Sequence, residues 1–369
     1  MRRNTSFGCI ACLVGVLFTP SSNTYAGDFN ALRRSLVIVE TDTGSGSGFI
    51  ADMHGKRYVV TNQHVVRATK KIQLRLVDGE QLTPKVLEVA AELDAVRIEF
   101  DSKGAEPPPL TLASAPPSIG NNILIYGNSE GMGAVTELSG SILGVGPDVI
   151  EVDAGFVRGN SGSPILNRAG QVLGIATFIT LKTPDTDWVL KGTRFETTRR
   201  FGVRLTESTK WVAAPFDAFY RQTKLLDDTS LYLSGVFALL CCWYEGQGQS
   251  EARRNLVAYA SSDNESIFAH TQWEKRFKDF VNSYKAYWDA VHMNMNERSM
   301  LVQKSRNTLV RDFETMPFEP QTELQQTKWL TPSFAKESAR AIEVMGLLQK
   351  EAQKMAKDKQ RFWGGSILR

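Results

Sequence analysis

Apolar and polar positions come in short alternating or β-branched runs from residue 35 to about residue 205, each bounded by Gly, Asp or Asn. Ser35–Glu40, Gly48–Ala51, Arg57–Thr61, Ile72–Val77, Lys85–Val89 and Ala95–Phe100 form a first group. A proline-rich stretch (Pro107 to Pro109, then Pro116 and Pro117) breaks the pattern. The runs resume at Asn122–Tyr126, Val135–Gly144, Val149–Val152, Pro164–Leu166, Val172–Phe178 and Phe201–Leu205. Roughly six strands on either side of a proline-rich joint predict two packed antiparallel β units, over about 30–110 and 118–207.

After residue 207 the period changes. Lys210–Thr223 carries Trp211, Val212, Phe216, Phe219 and Tyr220 at spacings that predict a helix packed on one face. Leu231–Tyr244 is apolar all round but only about 14 residues long, which fits a buried helix better than a membrane span. Glu265–Val291 places Phe268, Trp273, Phe277, Phe280, Tyr284 and Tyr287 three or four residues apart among charges. Such a stripe reads as helix core, not as a nucleic-acid or cofactor groove. Ser333–Arg361 reads as a further long helix, its Lys354, Lys357, Lys359 and Arg361 a solvated face. Residues 208–369 are therefore expected to form an all-α C-terminal region, giving an α+β chain overall.

Composition changes this picture little. Hydrophobic residues make up 42% and charged residues 22% of 369, with a formal net charge of +3. Those are ordinary values for a soluble globular protein, and no bulk field points to nucleic acid or a membrane surface. The N-terminus is more informative. Arg2 and Arg3 precede an apolar run from Phe7 to Phe18, and small residues around Thr24-Tyr25-Ala26 follow. This is the pattern of a secretory signal over residues 1–26, too short to span a bilayer, so an exported protein, periplasmic or secreted, is expected. Cys9 and Cys12 leave with it. Cys241 and Cys242 remain; their Cα atoms are about 3.8 Å apart, below the disulfide range, so two buried thiols are the reading and an intermolecular bond the alternative. No metal-ligand spacing occurs, and no cofactor is implied.

The chemistry lies in Gly155-Phe156-Val157-Arg158-Gly159-Asn160-Ser161-Gly162-Ser163-Pro164. A serine is a weak nucleophile near neutral pH and needs a base, an orienter and oxyanion donors. His64, in Thr61-Asn62-Gln63-His64-Val65-Val66, and Asp94, in Glu92-Leu93-Asp94-Ala95-Val96, stand upstream in that order. His54 lies in a turn, and His270 and His292 fall in the helical half. Gly159-Asn160-Ser161-Gly162-Ser163 fails the Gly-x-Ser-x-Gly elbow at its fifth residue, and the strands do not alternate with helices. An α/β-hydrolase is a weak competitor.

Four stretches make the sequence similar to the trypsin-like serine peptidases, and specifically to their bacterial HtrA/Deg-type branch. They are Ser47-Gly48-Phe49-Ile50, Tyr58 to Val66, Leu93-Asp94-Ala95-Val96 and Asp153 to Pro164. The resemblance covers about residues 35–210 and implies a chymotrypsin-like double β-barrel with its active site between the barrels. It implies His64 as general base, Asp94 as the group orienting it, and Ser161 as the nucleophile that forms an acyl-enzyme. The backbone N–H groups of Gly159 and Ser161 would be the oxyanion donors. Polypeptides are the implied substrate, unfolded or envelope proteins among them.

Departures from the family refine this expectation. Asn160 replaces the aspartate with which digestive relatives bind a freed N-terminus, and Ser163 stands where glycine is usual. Gly155, at the expected floor of the primary pocket, offers no carboxylate for Lys or Arg. Phe156, Thr177, Phe178, Ile179 and Gly202 then suggest an apolar pocket. No PDZ-like segment is recognisable, so the helical region is the candidate surface for a protein partner or self-association. Two alternatives stay open: a catalytically silent protease-fold scaffold, and a hydrolase of small esters.

Overall fold

The computed structural model describes residues 29–104, 106–181, 198–241 and 319–346. Two closed six-stranded antiparallel barrels form its centre. The first comprises β1 (Leu36–Thr41), β2 (Ser45–Met53), β3 (Lys56–Thr61), β4 (Ile72–Leu76), β5 (Gln81–Ala90) and β6 (Val96–Asp101), in the order β5-β4-β1-β2-β3-β6 with β5 closing onto β6. The second comprises β7 (Asn122–Gly127), β8 (Thr136–Val145), β9 (Val149–Val152), β10 (Pro164–Leu166), β11 (Val172–Leu181) and β12 (Thr198–Arg204), closed in the order β10-β11-β12-β9-β8-β7. The joint between them is the proline-rich stretch. This is the chymotrypsin-like double barrel that the resemblance implies.

The two-residue period of each strand decides where its side chains go. In the first barrel Val37, Val39, Ile50, Val59, Leu74, Leu87, Val89 and Ile98 fill the interior. Residues of the other parity, among them Leu36, Phe49, Ala51 and Val60, meet Leu124, Tyr126, Leu166 and Ile175 of the second barrel. Strands buried on both faces read as near-continuous apolar runs, as Leu36-Val37-Ile38-Val39 does. The second barrel has its own interior of Ile123, Ile125, Ile142, Ile150, Val152, Phe156, Ile165 and Ala176.

The chain then departs from the expected helix over Lys210–Thr223. Trp211–Ala214 is a strand, β13, which returns to the first barrel and pairs with β5 from Trp211↔Ala90 to Ala214↔Leu87. The physical reason is Pro215, which drives the residue before it towards extended backbone and starts a helix without needing an N–H partner. Two short helices, α1 (Phe29–Leu32) and α2 (Gln63–Val66), precede that point, and α3 (Phe216–Cys241) follows it. α3 joins the remainder of the predicted Lys210–Thr223 helix to the predicted Leu231–Tyr244 helix, of which the described residues reach Cys241. Among its side chains Phe219, Leu225, Leu226 and Leu233 are buried.

α4 (Glu319–Gln326) and α5 (332–346) complete a helical layer against α3. Leu324, Phe334 and Met345 join Phe219 and Leu225 in the same cluster as the first barrel's interior. Each such large apolar side chain contributes about 1.5–3 kcal/mol when removed from water. Polar contacts fix the layer. Ala68 N–H donates to Thr223 Oγ1 at 2.8 Å, Leu330 N–H donates to Gln222 Oε1 at 2.9 Å, and Arg67 pairs with both Asp227 and Glu337. The expected signal, the aromatic stripe of 265–291, Cys242 and the basic cluster of 354–361 lie outside the described residues. No described helix is long and apolar enough to cross a membrane.

Candidate active site

His64 sits in α2, between β3 and β4, and Asp94 in the tight turn between β5 and β6. That turn is drawn closed by Ala90 N–H donating to Ala95 O at 2.9 Å. Both oxygens of Asp94 are committed to His64. Oδ1 accepts the His64 backbone N–H at 3.0 Å, and Oδ2 lies 2.6 Å from Nδ1. An ionised carboxylate only accepts, so Nδ1 must carry the proton and Nε2 is left with the lone pair. The side chains are 40% and 33% exposed, open to a substrate on one side.

Asn62, just before α2, ties this pair to the other barrel. Its Nδ2 donates to Asp94 O at 2.7 Å and to Thr177 Oγ1 at 3.1 Å, and the residue is wholly buried. Thr177 in turn faces the nucleophile: Ser161 Oγ donates to Thr177 O at 3.4 Å. That bond is long for O–H···O, whose usual distance is about 2.7–2.8 Å. No hydrogen bond joins Ser161 to His64. The structure joins His64 to Asp94, links that pair through Asn62 to Thr177, and leaves the Ser161 hydroxyl turned towards Thr177.

The loop carrying Ser161 is shaped by glycine. Gly159 has φ +87°, and a Cβ there would lie 2.1 Å from Asn128 O; Gly162 has φ +92°, with a Cβ 1.8 Å from Ser47 O. Neither position admits another residue without displacement. Arg158 O accepts the Glu130 N–H at 2.6 Å, and Asn160 O accepts the Ser163 N–H at 2.9 Å. In a trans peptide the N–H points opposite its carbonyl, so these two bonds aim the Gly159 and Ser161 N–H groups the other way. Neither N–H donates to another group among the described residues.

Ser47 holds this loop to the first barrel. Its N–H donates to Ser161 O at 2.8 Å, and its hydroxyl donates to Gly159 O at 2.7 Å while accepting the Asn128 N–H at 2.8 Å. Asn160 is buried with its amide spent locally: Oδ1 accepts the Val157 N–H at 2.9 Å and Nδ2 donates to Ser129 Oγ at 3.1 Å. Ser163 fits because Gly127 has no Cβ, which would lie 1.9 Å from Ser163 Oγ.

The expected pocket residues separate into three groups. Gly155 is exposed, with nothing within 4 Å of a Cβ built on it. Phe178 is 42% exposed and stacks on Phe201, ring centroids 5.0 Å apart, while Thr177 is buried beneath. Phe156, 2% exposed, belongs to the interior of the second barrel, and Ile179 packs against that interior. Gly202 faces inward as well, a Cβ there meeting Ile165 at 2.2 Å. Sequence reasoning missed Asn62, Ser47 and Arg200. Arg200 pairs in register with Ile179 and donates from Nε to Phe156 O at 2.9 Å. For Ser47, its place between two glycines was the available signal.

Residues 46–175 match the family model described as a trypsin-like peptidase domain. The chain is 35% identical over 150 residues to a probable periplasmic serine endoprotease, DegP-like, of Chlamydia muridarum; the match covers 38% of this chain and 29% of that protein. It is 31% identical over 157 residues to the chloroplastic Protease Do-like 1 of Arabidopsis thaliana, covering 39% and 35%. A serine endoprotease from Yersinia pestis of known crystal structure aligns over 50% of this chain and 63% of that one, at 22% identity and a TM-score of 0.39. The matched part is about a third of the length of the curated relatives. Residues 46–175 therefore carry a trypsin-like peptidase domain, whose sequence is similar to proteases of the HtrA/Deg branch.

Proposed function

We propose that the chain is a serine endopeptidase acting on polypeptides, with His64, Asp94 and Ser161 as its triad. The observation that carries this reading is the double commitment of Asp94 to His64, 2.6 Å from Nδ1, together with a serine loop whose Gly159 and Ser161 N–H groups donate to no described residue. Ser161 Oγ exchanges its long bond to Thr177 O for one to His64 Nε2 when substrate fills the cleft. Catalytic hydrogen bonds commonly tighten only at that stage. His64 takes the hydroxyl proton as Oγ attacks the carbonyl carbon, and the carbonyl electrons pass to an oxyanion held by Gly159 N–H and Ser161 N–H. The imidazolium, stabilised by Asp94, then protonates the leaving amine, and water repeats the sequence on the acyl-enzyme.

The test is digestion of an unfolded protein by the wild type and Ser161→Ala, with cut sites mapped. Cleavage by the wild type and none by the variant is expected; cleavage that persists in Ser161→Ala refutes the assignment. The resting bond from Ser161 to Thr177 favours one second reading, a silent scaffold whose helical layer binds a partner. A fluorophosphonate probe decides between them, since only a competent Ser161 is labelled. Export belongs to the same reading: N-terminal sequencing of the mature protein should begin just after Ala26.

A further inference from the structure

Arg200 lies on β12, opposite the part of β11 that follows Thr177. In β12 the two-residue period sends Arg199 and Phe201 to the outer face, where Arg199 donates to both oxygens of Glu151 at 2.6 Å and lies 5.0 Å from the Phe201 ring centroid. Arg200 belongs to the opposite face, in register with Ile179 on β11 and Val152 on β9, at the end of the barrel interior that Gly202 continues. Its Nε bond to Phe156 O, at 2.9 Å, fixes the guanidinium beside the segment that leads to Ser161. Ile179 is two residues beyond Thr177, whose carbonyl receives the Ser161 hydroxyl. Gly155, next to Phe156, has open space about its own position, with nothing within 4 Å of a Cβ built there.

Among the described residues the guanidinium is also chemically unspent beyond one bond. It has five N–H donors, and among the described residues only Nε has a partner. No described carboxylate lies within ion-pair distance of it, whereas Arg34, Arg57, Arg67, Arg75, Arg97 and Arg199 are each paired with one. A planar fork anchored at Nε presents its terminal nitrogens as a bidentate carboxylate receptor, and its charge repels lysine and arginine.

We infer that Arg200 is the specificity-determining residue of the primary pocket, and that the peptidase cuts after glutamate or aspartate. This rests on the proposed function. The test digests an unfolded protein with wild type, Arg200→Gln and Arg200→Glu, maps the cuts by mass spectrometry, and labels Ser161 with a fluorophosphonate in parallel. Matched peptides with Glu or Gln before the scissile bond supply the ratio. The wild type should favour Glu over Gln by about tenfold or more in kcat/KM, the scale of one charge-assisted hydrogen bond. Arg200→Gln should bring that ratio close to one, and Arg200→Glu should move the cuts towards Lys and Arg. Both comparisons are made within one preparation, so loss of folded protein cancels. A wild-type ratio near one, a ratio unchanged in Arg200→Gln, or labelling without any cut after Asp or Glu overturns the inference alone. Absence of both labelling and cleavage overturns the endopeptidase reading, and this inference with it.

Discussion

Replacing Arg67 with methionine tests whether the helical layer and the first barrel act as one unit. Arg67 directly follows α2, and its Nη2 lies 2.6 Å from Asp227 on α3 and 3.0 Å from Glu337 on α5. Its side chain is 19% exposed, against 40% for each acid. Burial lowers the proton affinity of the guanidinium, but the charges of Asp227 and Glu337 outweigh it and hold Arg67 above its ordinary value. Methionine keeps much of the stem and removes both bonds, leaving two like charges facing each other. Breaking a fully buried pair costs about 3–5 kcal/mol and an exposed one about 0–1. With the cation buried and the acids partly solvated, the expected loss is about 2 kcal/mol.

Urea unfolding followed by tryptophan fluorescence reads it, since Trp211 and Trp329 both pack against barrel clusters. At a typical slope the midpoint should fall by about 1 M. Adding Asp227→Asn and Glu337→Gln to Arg67→Met should recover about 1 kcal/mol, because the like charges disappear with them. A loss below about 0.5 kcal/mol, or a triple variant no more stable than the single, refutes the argument.

Three further substitutions probe the site. Asp94→Asn removes the acceptor that sets the His64 tautomer, and steady-state kinetics should show kcat falling about 10⁴-fold with KM little changed; a drop under tenfold would be incompatible with the assigned role. Ser47→Ala orphans the Asn128 N–H and the Gly159 carbonyl, and should cost about 1–3 kcal/mol in thermal unfolding and lower kcat more than it raises KM. Gly162→Ala meets Ser47 O at 1.8 Å with φ at +92°, so expression should yield no soluble folded protein; a normal yield would show that the loop is not held as described.

The barrels were legible in sequence because their strands carry local signals: β-branched runs closed by turn residues. Trp211–Ala214 was not, because four residues are too few to establish a period, and Trp211, Val212 and Phe216 also suit a helix. Pro215 was the overlooked signal. At the site, His64, Asp94 and Ser161 could be proposed from residue type, order and neighbours. Arg200 could not, since its face depends on a register with Ile179 that bulges between Ala176 and Phe178 help to set. The inward turn of Gly202 has the same cause: which parity points into a barrel is settled by closure, and one strand read alone does not reveal it.

The return of β13 to β5 also orders events in time. The first barrel's strands through Asp101 leave the ribosome early, yet β13 and the helices that share its interior cluster come after the whole second barrel. The last of them, around Met345, follows about 250 residues later, roughly ten to fifty seconds of synthesis at typical rates. Until then Val66, Val89 and their neighbours lack their apolar partners, and Arg67 lacks its acids. The six strands of the first barrel are then complete but uncovered, with the histidine's helix lacking its helical support while the serine's loop is being made.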